Sequence, residues 1–231
     1  RCGGLVAGVS SWWARRTGNE HLGELARGLI TTIPYVLAAT VTTGVAPLLF
    51  LQVLYGPFFY TSSILMAVPW LAVVGMLILS YYGFYRNAFL VKDGRRASLR
   101  LLWASALLVV VIALLYTSNM TLMLTPEKWR DVYSPHGLYV HLADASVIPR
   151  FLHFVVASVA VTGVSIALRG LFVLRTDDSY GRWLVGAGSL VFIVATGVQF
   201  LVGVAFLFSL PSGWRGAFLG GDPTATGLLI A

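Results

Sequence analysis

The sequence is poor in charged residues, and its acidic residues avoid the apolar segments. Only 11% of its 231 residues are charged and 58% are hydrophobic, whereas soluble domains carry roughly 25% charged residues. None of the nine Asp and Glu residues falls in the middle of an apolar run. Carboxylates inside a bilayer are costly and usually functional, so this distribution argues against a carboxylate-lined proton path in the chain. The composition predicts a polytopic membrane protein.

Cysteine is nearly absent as well. The single cysteine, Cys2, allows no internal disulfide, and the sequence contains no Cys-x-x-Cys-His motif, which excludes covalent attachment of a c-type haem. Lys and Arg are in excess and give a net charge of +7. These basic residues lie in short loops between apolar segments, where they set the orientation of a membrane protein. We therefore expect the lipid bilayer as a partner, and no nucleic acid.

Five apolar segments are long enough to cross a bilayer, which takes about 20 residues. They lie at about 29–54, 61–85, 99–116, 149–174 and 183–210, and the end of a further span lies at about 4–13. Segments of this length are too long for the strands of a membrane barrel. The predicted fold class is an all-α polytopic transmembrane helix bundle, with residues 1–231 forming a single transmembrane domain.

Basic residues are divided unevenly between the two sets of loops. Eleven fall in the first set and four in the second. The first set is Arg15, Arg16, Arg27, Arg86, Lys92, Arg95, Arg96, Arg100, Arg169, Arg175 and Arg182, and the second is Lys128, Arg130, Arg150 and Arg215. Because cytoplasmic loops carry an excess of Lys and Arg, we expect residues 86–98 and 175–182 to be cytoplasmic and residues 119–148 to be external.

One histidine, His153, lies inside a predicted span, about one turn from its external end. A neutral imidazole can ligate iron through one ring nitrogen while the other is hydrogen-bonded. Arg150, three residues earlier, lies on the same helix face and suits a haem propionate. Met120 and Met123, at the same membrane level, are candidates for a second axial ligand, although such methionines commonly serve packing. The alternative for His153 is a hydrogen bond to a neighbouring helix.

The other three histidines give weaker signals. His21 lies in a loop between Glu20 and Glu24, which is typical of a solvated residue. His136 and His141 are five residues apart, a loose spacing for a metal pair, and no cluster of carboxylates or cysteines supports one. We therefore predict no metal site in the external loop.

Three pieces of the sequence, in the same order, resemble cytochrome bd oxidase subunit I. "IPRFLHFVVASVAVTGVSIAL" is similar to the family's helix that supplies an axial histidine of its low-spin b haem, and His153 matches that position. "GVAPLLFLQVLYG", from Gly44 to Gly56, matches the spacing of the family's "GVATGLTMEFQFG", and "NMTLMLTP" resembles its Trp-Met-Gln-Asn-Pro segment. The resemblance covers about residues 4–210.

The chain also departs from this family. Gln52 stands where the family has an acidic residue near its high-spin haems. The family's first span, which carries a second haem-ligating histidine, is missing or truncated, and the methionine that completes the low-spin haem lies in a later helix. The resemblance therefore implies one haem b, ligated by His153, in a membrane-embedded electron-transfer subunit of a respiratory or related redox complex.

Two other functions stay open from the sequence. One is a terminal quinol oxidase of the cytochrome bd type, and the other is a haem-free membrane scaffold that anchors a partner enzyme. The resemblance implies other subunits of a membrane complex as partners, and a quinone or cytochrome c as the electron partner. Enzymatic activity, if the chain takes part in it, would be that of a quinol-oxidising oxidoreductase. We expect an integral protein of the bacterial inner (plasma) membrane.

Overall fold

The structure is a computed structural model that describes residues 3–133 and 136–230. All regular secondary structure in these residues is helical, which confirms the predicted all-α bundle. The helices are α1 (Gly3–Thr17), α2 (Glu20–Leu54), α3 (Gly56–Leu65), α4 (Ala67–Lys92), α5 (Leu99–Met123), α6 (Val147–Val173), α7 (Asp178–Ser209), α8 (Ser212–Gly216) and α9 (Pro223–Ile230).

Five of these helices, α2, α4, α5, α6 and α7, are long and apolar enough to cross a membrane, counting only the described residues. They correspond to the five predicted spans, and α1 corresponds to the predicted end of a further one. Successive spans run in opposite directions. We call the end of the bundle that carries residues 124–146 the loop end. The opposite end, with the turns at 18–19, 93–98 and 174–177, is the basic end.

A proline moves the start of the span predicted at 61–85. Pro69 has no N–H to donate to the carbonyl of Leu65, and in a continuous helix its ring would clash with that carbonyl. The helix breaks at Met66, whose φ of −107° and ψ of 28° are not helical. The membrane-spanning helix α4 therefore begins at Ala67, and the preceding residues form the separate short helix α3.

Two other spans are longer than predicted. The span expected at 29–54 begins at Glu20, because Asn19 caps the helix by accepting a hydrogen bond from a backbone N–H in the first turn. The span expected at 99–116 continues to Met123. Several of these additional residues of α5 are polar, so they lie beyond the predicted apolar run. Their side chains are nevertheless buried at the loop end.

Helices α6 and α7 pack against each other along most of their lengths. Glycines recur every seven residues on both helices, at Gly163 and Gly170 on α6 and at Gly181 and Gly188 on α7. A Cβ atom added at Gly163 would lie 2.7 Å from the backbone nitrogen of Phe192 and 2.8 Å from the carbonyl oxygen of Gly188. The two backbones therefore approach without an intervening side chain, as in membrane helix pairs built from small residues.

Three clusters of buried apolar side chains join the helices. One joins α1, α2, α4 and α5 through the buried residues Ala7, Ile30, Leu37, Phe84, Ala97, Leu102, Ala106 and Val109. The second, at the loop end, joins α3, α4 and α5 through Leu65, Met66, Val73, Ile112, Leu115 and Leu122. The third, at the basic end, joins α2, α6 and α7 through Leu25, Ile166, Tyr180 and Leu184. The first two clusters pack α5 against its neighbours, and the third packs the basic ends of α6 and α7 against α2.

Candidate functional site at the loop end

His153 lies in the second turn of α6 and faces α7. Its ring atoms Cε1 and Nδ1 lie 3.7 Å and 3.9 Å from the position that a Cβ atom at Gly203 would take. Nδ1 is buried and makes no hydrogen bond. The interhelical hydrogen bond weighed as an alternative from the sequence is therefore not made by this nitrogen within the described residues. Because buried polar groups are nearly always hydrogen-bonded, this imidazole needs an explanation.

A second unpartnered polar atom lies on the facing helix. Oε1 of Gln199 is buried and has no hydrogen-bond partner. Gln199 lies about one turn before Gly203, on the face of α7 that also buries Ala195. Because Gly203 faces His153, Gln199 lies on the part of α7 that packs near this histidine. Nothing in the sequence distinguishes Gln199, because an amide in an apolar span usually bonds across helices.

Arg150 connects three helices at the start of α6. Its Nη1 donates to the hydroxyl of Thr121 on α5 at 3.3 Å, and its guanidinium carbon lies 5.2 Å from the ring centroid of Phe206 on α7. The side chain is half-buried. Within residues 3–133 and 136–230, no carboxylate forms an ion pair with it. A guanidinium without a counter-ion keeps donors for an anionic group such as a propionate.

The two candidate methionines lie on the α5 side of the site. Met120 is 37% exposed and, together with Phe154, lines two adjoining cavities, whereas Met123 is 5% exposed. Phe154 follows His153 directly on α6, so the two side chains point about 100° apart around the helix. His153 faces α7 and Phe154 faces the cavities. These positions favour neither methionine as a second axial ligand.

The α6–α7 interface offers one imidazole and one cation, the donor types that hold a haem through one protein ligand. In the described part of the chain, no three or more His, Cys, Asp or Glu side chains converge to hold a metal ion. A haem iron needs only axial ligands, and His153 offers an imidazole without a protein partner. Arg150 offers an unpaired cation one turn away. We call His153, Gln199 and Arg150 the α6–α7 site.

His141 in the external loop belongs to a buried polar network that the sequence analysis missed. It is 2% exposed, and its backbone N–H donates to the hydroxyl of Ser118 at 2.8 Å. Burial lowers the pKa of His141, so the imidazole is neutral at pH 7. The hydroxyl of Tyr139 and Nδ1 are hydrogen-bonded at 2.7 Å, and the ring tautomer determines which of the two donates. Nε2 lies 3.8 Å from Oδ2 of Asp144, beyond hydrogen-bond distance.

An ion pair fastens the same loop. Nζ of Lys128 lies 2.7 Å from Oδ2 of Asp144, and Oδ1 accepts from the backbone N–H and the hydroxyl of Ser146 at 2.9 Å and 2.7 Å. Burial alone would raise the pKa of Asp144, but the hydrogen bonds from Lys128 and Ser146 outweigh it and hold that pKa well below its usual range. The hydrogen bond to Asp144 raises the pKa of Lys128. The pair joins the two ends of the loop.

We expect Asp144→Asn to loosen residues 124–146 at neutral pH. The folded-state pKa of Asp144 is lowered, so its contribution to stability is present above about pH 4, the unfolded pKa, and is lost as pH falls through the folded value. The pKa of Lys128 is raised, so its contribution is present below about pH 10 and is lost as pH rises further. Limited proteolysis in detergent at pH 7 should be about two- to fivefold faster, the size expected of a half-exposed ion pair.

Asp131→Asn is the matched control for this loop. Asp131 is exposed in the same segment and takes part in none of the ion pairs between described side chains. Its substitution should leave the cleavage rate unchanged. Equal rates for Asp144→Asn and the unmutated protein would show that the ion pair does not hold the loop.

Comparison of the chain with protein-family models, with curated proteins and with solved structures gives no match in any of the three. What the described residues show is a helix bundle that can span a membrane, with unpartnered polar atoms of His153 and Gln199 between α6 and α7.

Proposed function

We propose that this chain is a membrane-embedded b-type haem electron-transfer subunit of a respiratory or related redox complex, with His153 as an axial ligand of one haem b. The observation that carries the proposal is the buried Nδ1 of His153, which has no partner between α6 and α7. The resemblance to cytochrome bd oxidase subunit I supports it, because the matching histidine of that family ligates a low-spin b haem. When bound, the haem supplies one-electron transfer at a potential set by its ligands and burial.

The two unpartnered atoms of the α6–α7 site have a common explanation in this proposal. A histidine that binds metal through one ring nitrogen almost always donates the N–H of the other to an acceptor, which fixes the orientation of the ring. Nδ1 of His153 would carry that proton, and Oε1 of Gln199 is an unused acceptor on the facing helix. Gln199 would be a positioning residue for His153 if its side chain moved to accept that proton, because the two atoms are not hydrogen-bonded in this structure.

Arg150 has a separate role in the same proposal. Its guanidinium lies toward the loop end, one turn from His153, and has no carboxylate partner among the described residues. Haem carries two propionates that require cations or donors close to water. Arg150 would neutralise one of them while keeping its contacts to Thr121 and Phe206, which hold the side chain in place.

The electron-transfer role is preferred over a terminal quinol oxidase because of Gln52. A carboxylate in a dry region can carry a proton because its pKa can shift into range, whereas an amide does not titrate. Gln52 stands at the family's acidic position and lies two residues from the end of α2, half-exposed. A quinone or cytochrome c is then an electron partner of the complex, and this segment need not reduce oxygen.

The optical spectrum of the purified full chain tests this function. We expect a reduced-minus-oxidised b-type band at about one haem per chain. A haem-free scaffold would give no band. Oxygen consumption with a quinol separates the remaining two functions, because a turnover on the order of 10 per second or more would identify a terminal oxidase and contradict the electron-transfer role.

The proposed orientation puts the loop end outside the cytoplasm, on the basis of the eleven-to-four distribution of basic residues. In a Cys2→Ser background, Ala143→Cys should react with a membrane-impermeant maleimide on intact cells. Asp93→Cys should react only after permeabilisation. Both positions are exposed at their ends of the bundle. The reverse labelling pattern would place His153 near the cytoplasmic face and remove the charge argument for an external haem.

A further inference from the structure

An open groove of about 870 Å³ lies between α2 and α4, on the basic half of the bundle. Its α4 side carries a column of rings one turn apart. The ring centroids of Tyr81 and Tyr85 are 5.4 Å apart, and those of Tyr85 and Phe89 are also 5.4 Å apart. The α2 side is formed by three shorter residues, Ala38, Val41 and Thr42. Phe89 is 57% exposed, so the groove opens to the bilayer and not into the core.

The groove is apolar at one end and cationic at the other. Leu77 and Ile78 line the end toward the membrane interior, and Arg86 lines the end toward the basic loops. A smaller pocket shares two of the aromatic residues of the groove and extends to Lys92 at the end of α4. Arg86 lies six residues before Lys92, about 9 Å along the helix axis. The sequence of apolar lining and then cations matches the chain and the headgroup of a lipid.

Both cations have hydrogen-bond donors to spare. Arg86 is exposed, and within residues 3–133 and 136–230 its side chain makes no hydrogen bond, ion pair or ring contact. Lys92 donates to the hydroxyl of Tyr35 at 3.3 Å. An ammonium has three donors and the hydroxyl keeps its own proton, so both side chains of this exposed pair can still donate. Asp93, the next residue, forms no ion pair with Lys92 among the described side chains.

Other cations at the basic end have partners within the protein. Arg15 donates to the carbonyl oxygen of Ala97, and Arg182 forms an ion pair with Asp178. Arg86, in contrast, lies within a membrane-spanning helix without a counter-ion. A charged side chain in such a position is costly unless it is paired or reaches water, and basic pockets between membrane helices bind anionic lipid head groups. An anion from the bilayer would supply the missing partner.

We propose that this groove binds an anionic phospholipid, with the headgroup phosphate at Arg86 and at the pair of Lys92 and Tyr35, and an acyl chain along the aromatic column of α4. Charge complementarity selects an anionic lipid, because a zwitterionic headgroup would bring a second cation to a site that already has two. The groove lies on α2 and α4, whereas His153 lies between α6 and α7. The lipid site therefore does not depend on the proposed haem.

Native mass spectrometry of the purified, delipidated full chain tests this site. The chain is mixed in detergent with equal amounts of dioleoyl phosphatidylglycerol and dioleoyl phosphatidylcholine, which share their acyl chains and differ in headgroup charge. We expect phosphatidylglycerol to be preferred as the first bound lipid by about tenfold or more, because each of two basic residues favours an anionic lipid by about fivefold. The double variant Arg86→Gln/Lys92→Gln should bind the two lipids about equally.

Arg95→Gln/Arg96→Gln is the matched control, because it removes the same charge from the adjoining turn. Both arginines are exposed, and neither lines the groove. They act on a lipid in the groove only through a field that salt screens, so the preference should stay within about twofold of that of the unmutated protein. A loss as large as that in Arg86→Gln/Lys92→Gln would show that the whole basic end attracts anionic lipids, and the proposal would be overturned.

Ala38→Phe tests the groove with both cations in place. Ala38 is exposed on the α2 side, and a phenyl ring there would occupy the space beside the aromatic column. It should lower the binding of phosphatidylglycerol severalfold. Ala39→Phe, at an exposed position of α2 outside the groove, should leave binding unchanged. The proposal is also overturned if phosphatidylglycerol is not preferred, if Arg86→Gln/Lys92→Gln keeps the preference, or if Ala38→Phe binds the lipid as tightly as Ala39→Phe.

Discussion

His153→Ala is expected to remove the reduced-minus-oxidised b-type band completely while the protein still inserts into the membrane. The substitution deletes the one imidazole of the α6–α7 site, and neither Gln199 nor Arg150 offers a nitrogen that replaces it as an iron ligand. Truncating a buried side chain costs a few kcal/mol, so a lower yield is expected and does not discriminate. The measurement is haem per chain after purification, with the amount of inserted protein determined separately.

His136→Ala is the matched control, because His136 is exposed in the loop and should be replaceable without loss of the band. His141 is unsuitable for that purpose, since it is buried in the loop network and its loss would disturb folding. Arg150→Leu should weaken haem retention or shift the midpoint potential without abolishing the band, because it removes the proposed charge partner of a propionate and leaves the axial ligand in place. A full band in His153→Ala would mean that His153 only packs between the helices. The resemblance to cytochrome bd oxidase subunit I would then extend to the helix scaffold and not to the haem.

The spans could be predicted from the sequence because burial in a bilayer acts on whole segments. An apolar run of about 20 residues has few alternatives to a membrane helix, and each of the five runs contains most of a long helix in the structure. The ends depend on single residues instead. Pro69 shifts the start of α4 through one missing N–H, and Asn19 moves the start of α2 by a cap. A hydropathy average over about 20 residues hardly changes with one proline or one capping asparagine, so it does not locate these helix ends.

The candidate site, like the helices, could be predicted from the sequence only in part. His153 and Arg150 could be found because an ionisable residue in an apolar helix is conspicuous in a sequence. Whether a buried polar atom has a partner depends on three-dimensional packing, so nothing in the sequence distinguished Gln199 from an ordinary interhelical amide. His141 was missed because loop residues show no periodicity that would predict burial. Its partners are assembled only when the loop folds onto α5.

Gly163→Val is expected to separate α6 from α7 and to cause the largest loss of stability of any substitution considered. A Cβ atom at this position would lie 2.7 Å from the backbone nitrogen of Phe192, which no side-chain rotation can relieve, so one helix must shift. Overpacking of this kind typically costs about 1–3 kcal/mol and occasionally more. The measurement is the thermal unfolding of the purified chain in detergent.

Gly186→Val is the control, because Gly186 is exposed on α7 and a Cβ atom there meets nothing within 4 Å. It should leave both the melting temperature and the haem band unchanged. The α6–α7 site takes His153 from one helix and Gln199 from the other, so a shift at Gly163 should lower haem content together with stability. His153→Ala should lower haem content with a smaller effect on stability. If Gly163→Val has the same melting temperature as Gly186→Val, close packing at Gly163 does not hold α6 and α7 together. The position of His153 against α7 would then lose its support.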